Sequence, residues 1–258
     1  MILRDKVALL YGAGGAIGSA VARAFALQGA NVFLTGRHLA PVEAVAKEIV
    51  SVGGSAEAAE VDALDEHLQS VIDKAGRVDI SFNAVGIANT NILGVPLVEL
   101  NVEQFSLPIT AYATSYFLTA RLAARRMLPN KSGVIMTVTA LHSRTGIPLV
   151  GGYGPAMAAK EALTRDLSAE LAPQGIRVVG LRPQGMPETR SLKEAFAPRA
   201  KASGMTWEQW QELLASRNHA RRLMTLEEMA NMAVFIASDK ASGMTGTVVN
   251  LTLGSLDD

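Results

Sequence analysis

The chain has 258 residues, no cysteine, and 24 basic against 24 acidic side chains. That excludes disulfides, thiolate catalysis and cysteine-ligated metals, and it leaves no basic block for a nucleic-acid partner. Its four histidines, His38, His67, His142 and His219, lack metal-ligand spacing. No apolar run reaches a membrane span, and the N-terminus lacks a basic region followed by a signal-type apolar core. The expectation is one cytoplasmic domain over 1–258 with no metal and no membrane or nucleic-acid partner.

The apolar run Val7 to Tyr11 leads into Gly12-Ala13-Gly14-Gly15-Ala16-Ile17-Gly18 and then a helical pattern through Val21, Ala22, Phe25 and Ala26. This reads as strand, tight turn, helix. Small residues let backbone approach a pyrophosphate, and the N–H groups that open the helix carry the partial positive charge a phosphate needs. The run Ala30 to Thr35 supplies the second strand that such a motif requires. Gly12, Gly14, Ala16, Ile17 and Gly18 are therefore the candidate cofactor cradle.

Gly36-Arg37-His38 closes the second strand where this kind of fold distinguishes the two nicotinamide cofactors. An acid there accepts from a ribose, whereas the Arg37 guanidinium suits a 2′-phosphate, so NADP(H) is favoured over NAD(H). A helix over Ala40 to Val52 stops at Gly53-Gly54, and a short strand ends at Val61. Asp62 follows as a candidate acceptor for an adenine amino group or as a helix cap, before a helix to Ala75. Asp79 to Phe82 leads into Asn83-Ala84-Val85-Gly86, where Asn83 and Gly86 bound a small-residue turn with room for a flat ring.

A long helix is expected from Asn101 to Met127, interrupted or begun near Pro108. Strands follow at Val134 to Thr139 and Ile176 to Leu181, with a helix from Tyr153 to Leu171 between them. The stretch Pro183 to His219 breaks the strand–helix rhythm and holds Met186, Phe196, Met205, Trp207 and Trp210, so a substrate lid is placed at about 184–222. A helix from Leu226 to Ala237 and a strand from Gly246 to Leu251 complete the alternation. Seven strands separated by helices argue for an α/β fold, a doubly wound parallel sheet covered on both faces.

The glycine turn, Asp62, Asn83-Ala84-Val85-Gly86, Tyr153, Ile176-Arg177-Val178, Pro183 and the tail through Thr245-Gly246 resemble the short-chain dehydrogenase/reductase family over nearly the whole chain. The resemblance implies a Rossmann-type seven-stranded sheet, Pro183 among the cofactor-binding positions, and hydride transfer between a nicotinamide and a small-molecule carbonyl or alcohol. It also implies a homodimer or homotetramer built through the two long helices and the last strand. The family uses a tyrosine, a lysine four residues later, an upstream serine and a helix asparagine. Tyr153 matches, but Ala140 stands at the serine position, Met157 at the lysine position and Tyr112 at the asparagine position. Ala16 also replaces a glycine of the turn.

A thioether has neither charge nor donor, so Met157 cannot lower the tyrosine pKa or hold a ribose. An unassisted phenol with a pKa of about 10 is available as an acid at neutral pH and scarce as a base, which favours reduction over oxidation. Lys160 lies seven residues after Tyr153, projects within about 60° of the vacated position and sits roughly 4.5 Å further along the axis. It is the candidate replacement, set against a solvated helix lysine. The spacing is similar to that of enoyl-thioester reductases of the same superfamily, although Tyr153 keeps its register here and the lysine moves. Thr139, His142 and Ser143 flank the missing serine. Two readings follow: an NADPH-dependent reductase of a small carbonyl or activated alkene with Tyr153 as proton donor, and a catalytically inactive nucleotide-binding or assembly protein.

Overall fold

Successive side chains of a strand point to opposite faces, and the first strand, β1 (Val7–Tyr11), is apolar on both. In the computed structural model, which describes residues 1–61, 64–88 and 93–256, Ala8 and Leu10 pack into one core while Val7, Leu9 and Tyr11 pack into another. Such doubly buried runs belong in parallel sheets with helices on both sides. The remaining strands are β2 (Asn31–Gly36), β3 (Ser55–Glu60), β4 (Ile80–Asn83), β5 (Gly133–Val138), β6 (Ile176–Pro183) and β7 (Thr247–Leu251). They form one parallel sheet in the order β3-β2-β1-β4-β5-β6-β7, the architecture expected from the sequence.

Helices α1 (Ala16–Leu27), α2 (Leu39–Ser51) and, near the C-terminus, α8 (Leu226–Ala237) cover the first face. The second face is covered by α3 (Leu64–Ala75), α4 (Val102–Met127) and α5 (Tyr153–Leu171). Strand β1 pairs with β2 on one side and β4 on the other. The order of connection reverses between β1 and β4, and the crevice above their carboxyl ends is where doubly wound sheets bind ligands.

Pro108 does not interrupt or begin the long helix. Nucleation falls to Asn101, whose Oδ1 accepts the Gln104 N–H at 2.8 Å while Gln104 Oε1 accepts the Asn101 N–H at 3.5 Å. That capping box starts the helix at Val102, and Pro108 leaves only one carbonyl without its intrahelical donor. The segment 184–222 holds two helices that the sequence rhythm did not show, α6 (Arg190–Ala202) and α7 (Trp207–Ala215). Phe196 and Trp210 join them with ring centroids 6.3 Å apart.

Candidate active site

The glycine turn is shaped by close backbone contacts. Gly12 and Ala13 donate to the Thr35 carbonyl at 3.0 and 2.9 Å, and Gly15 donates to the Gly12 carbonyl at 3.1 Å. Gly12 has φ +77°, and a Cβ there would lie 2.5 Å from the Ala84 carbonyl oxygen across the crevice. A Cβ on Gly18 would lie 2.4 Å from the Gly12 carbonyl oxygen. Neither position tolerates a side chain without moving backbone. Gly14 is exposed, Ala16 and Ile17 are half-buried, and the N-cap Gly15 supplies no side-chain acceptor to the first N–H groups of α1. That is a helix N-terminus with open donors, no acid in its first turn, and a bare approach.

Around it, Arg37 is exposed at the end of β2 and forms no ion pair or hydrogen bond among the described residues. Asp62 lies outside the described residues. Gly86 is exposed, and a Cβ on it would meet no atom within 4 Å, leaving open space above the sheet. Asn83 is buried and turned the other way, its Nδ2 donating to Thr119 Oγ1 of α4 at 3.1 Å. Pro183 is buried at the end of β6, level with Leu251 of β7. The donor set, Arg37 and the open space at Gly86 together fit a dinucleotide.

Tyr153 opens α5 with Tyr112 and His142 edge-on to its ring, at centroid distances of 5.6 and 5.1 Å. Its hydroxyl makes no hydrogen bond among the described residues. Burial, with a smaller contribution from Tyr112, pushes its phenol above the ordinary value of 10.0, so it is held protonated. Tyr112 accepts the Ile87 N–H at 3.4 Å. Ala140, Met157, Ala156 and Tyr112 are buried in one apolar cluster with Ile87, Ile109 and Tyr153 packed against it. The three departures from the family pattern thus close on one another.

Lys160 is only 1% exposed and shares no hydrogen bond with Tyr153 among the described residues. Its Nζ donates to the Val138 carbonyl at 2.7 Å and lies 5.8 and 5.7 Å from the ring centroids of Tyr112 and Tyr116. Burial pushes its pKa down from 10.5 to about 7. Tyr112 therefore touches both Lys160 and Tyr153, which do not bond each other.

The sequence reading missed Glu161 and Arg182. Arg182 Nε and Nη2 donate to Glu161 Oε1 and Oε2, each at 2.8 Å, with both side chains buried. Glu161 Oε1 also accepts from Thr139 at 3.0 Å and Ser143 at 2.5 Å. Burial pushes the Glu161 carboxyl up, and Arg182 with the two hydroxyls overrides it, holding the group below the ordinary carboxylate range. The available signal was Arg182 itself, a guanidinium directly after the run Val178 to Leu181 of β6 that needed a buried partner.

A family model described as Enoyl-(Acyl carrier protein) reductase matches residues 12–255. The chain is 28% identical over 261 residues to the 7alpha-hydroxysteroid dehydrogenase of Escherichia coli, covering 99% of this chain and 96% of that one. It is 29% identical to the peroxisomal 2,4-dienoyl-CoA reductase of Rattus norvegicus, covering 98% and 85% respectively. Sorbitol-6-phosphate 2-dehydrogenase from Erwinia amylovora shares the fold, with TM-score 0.89 and 24% identity over 97% of this chain and 100% of that one. Among the described residues no helix is long and apolar enough to cross a membrane. With the doubly wound sheet, the glycine turn at its switch point and a family match spanning nearly all of its length, this chain belongs to the short-chain dehydrogenase/reductase family.

Proposed function

We propose that the protein is an NADPH-dependent reductase of a small carbonyl compound or activated alkene, with Tyr153 as the proton donor. The observation that carries this reading is the Tyr153 phenol, held protonated by its surroundings and with no partner for its hydroxyl among the described residues. A reduced nicotinamide, when bound, supplies the hydride. Tyr153 donates its proton to the oxygen, or to the carbon next to the activating group, and takes a replacement from solvent. The cradle from Gly12 to Gly18 binds the pyrophosphate, and Arg37, unpaired among the described residues, donates to the 2′-phosphate. The apolar surroundings of Tyr153, with Ala140, Met157 and Ile87 in one cluster, favour an apolar acceptor. Lys160 takes part through Tyr112, whose ring it supports from within the core.

The same apolar closure favours a second reading, a nucleotide-binding protein without turnover. Fluorescence titration with NADPH and NADH, followed by single turnover on ketones and activated alkenes, separates the two. Preferential NADPH binding with acceptor reduction supports the reductase, and NADPH binding with no acceptor reduced supports the second reading. Failure to bind either cofactor removes both. The exposed Val102, Leu107 and Phe117 of α4 support pairing of two chains through the long helices.

A further inference from the structure

The two buried ionisable side chains next to each other on α5 grip consecutive residues at the end of β5. Lys160 bonds the Val138 carbonyl, and Glu161 takes the Thr139 hydroxyl. Glu161 also takes the Ser143 hydroxyl, past the point where the family serine is missing. Between those two bonds the chain carries His142, whose ring stands edge-on to Tyr153 and whose carbonyl oxygen would lie 3.1 Å from a Cβ on Gly154. A buried carboxylate stays ionised only where it is paired and hydrogen-bonded. Arg182 supplies the pairing through two parallel bonds.

We infer that Glu161, fixed by Arg182, is a positioning residue that holds Thr139 and Ser143 and so sets His142 against Tyr153. The proposal rests on the reading of Tyr153 as the proton donor of the site. In this arrangement Ser143 is committed to the carboxylate, and His142 is the polar side chain that the arm from β5 presents beside the phenol. The substrate oxygen then meets a phenol whose ring is packed between Tyr112 and His142, without the family serine. Glu161 itself reaches no reacting atom.

The test reads the histidine rings directly by proton–carbon correlation NMR, since the chain has only four histidines and His142→Asn identifies the signal. In the unaltered protein Tyr153→Leu removes a ring current and shifts the His142 signals. Ser143→Ala leaves the Glu161–Arg182 pair in place. It is expected to move the His142 signals toward those of a solvated imidazole and to abolish their response to Tyr153→Leu, whereas Ser143→Thr retains both. Glu161→Leu combined with Arg182→Leu removes both charges and is expected to reproduce the Ser143→Ala spectrum; if it does not fold, Ser143→Ala decides alone. Unchanged His142 signals in Ser143→Ala, or in the folded double variant, overturn the proposal. Displaced His142 signals in a protein that reduces no acceptor sustain the positioning role and remove the reductase reading.

Discussion

Replacing Lys160 by methionine should make the protein more stable near neutral pH and flatten its pH dependence. In the folded chain Lys160 releases its proton at about 7, whereas in the unfolded chain the ordinary value is 10.5. Between those values the unfolded state binds more protons, so stability rises as pH climbs, and below about 7 the two states bind alike. The slope is about half of 1.4 kcal/mol per pH unit at pH 7 and approaches the whole of it above, so moving from pH 7 to 9 adds about 2 kcal/mol to the wild type and nothing from this source to Lys160→Met. Attraction of the ammonium to the faces of Tyr112 and Tyr116 favours the charged form by roughly 0.5–2 kcal/mol each, so that gain is an upper figure. Urea unfolding at pH 6, 7, 8 and 9 measures it. Burial keeps Tyr112, Tyr116 and Tyr153 above the ordinary tyrosine value and therefore neutral through this window. His67, which burial holds below 6.5, contributes equally to both proteins and cancels in the difference. Parallel stability curves for wild type and variant would refute the claim that Lys160 is carried neutral in the core.

Four further outcomes are expected. Tyr153→Phe should lower turnover by about 10²–10⁴-fold, the usual contribution of a positioned acid, with NADPH affinity unchanged in a fluorescence titration. Arg37→Ala removes a charge-assisted contact worth about 1.5–3 kcal/mol, so NADPH binding should weaken roughly ten- to a hundredfold while NADH binding stays as it was. Gly18→Ala sets a Cβ 2.4 Å from the Gly12 carbonyl oxygen; about 1–3 kcal/mol of overpacking should appear as a lower Tm, together with loss of NADPH binding. Glu161→Leu alone strands the Arg182 charge and should destabilise by about 3–5 kcal/mol in urea unfolding, with Arg182→Leu added to it recovering most of the loss.

Which parts of this structure were legible in the sequence follows from the range of the forces involved. The helices Tyr153–Leu171 and Leu226–Ala237 were read with their observed ends because periodicity and end signals are local; Thr225 and Glu228 form a capping box that can be seen in three consecutive steps of the chain. The same signal was present at Thr206 and Gln209, where α7 starts, and at Asn101 and Gln104, where α4 starts ahead of Pro108. In both places a second feature points elsewhere, the aromatic residues of the excursion in one case and the proline in the other. The glycine turn was legible since close approach leaves its mark in residue size, which a single sequence records.

The charges of the site were not legible for the opposite reason. A lysine on a helix is ordinarily a solvated lysine, and nothing within a few residues of Lys160 announces that Val138, Tyr112 and Tyr116 enclose it. The partners of Glu161 come from β6 and from the arm after β5, so their meeting is a property of the register of β5 against β6 and of α5 against both. The sequence shows three polar groups of the family replaced by Ala140, Met157 and Tyr112, which invites the inference that the region has become inert. The fold shows polar groups one turn along α5 from Met157, at Lys160 and Glu161, both buried like Met157 itself. A core lysine and a core ion pair both carry desolvation penalties that an apolar filling would avoid. Their presence near Tyr153 is therefore better explained by what they orient than by what they stabilise: Lys160→Met takes away the group behind the Tyr112 ring, so turnover should fall while stability rises, and those opposite signs are the measurable form of the distinction.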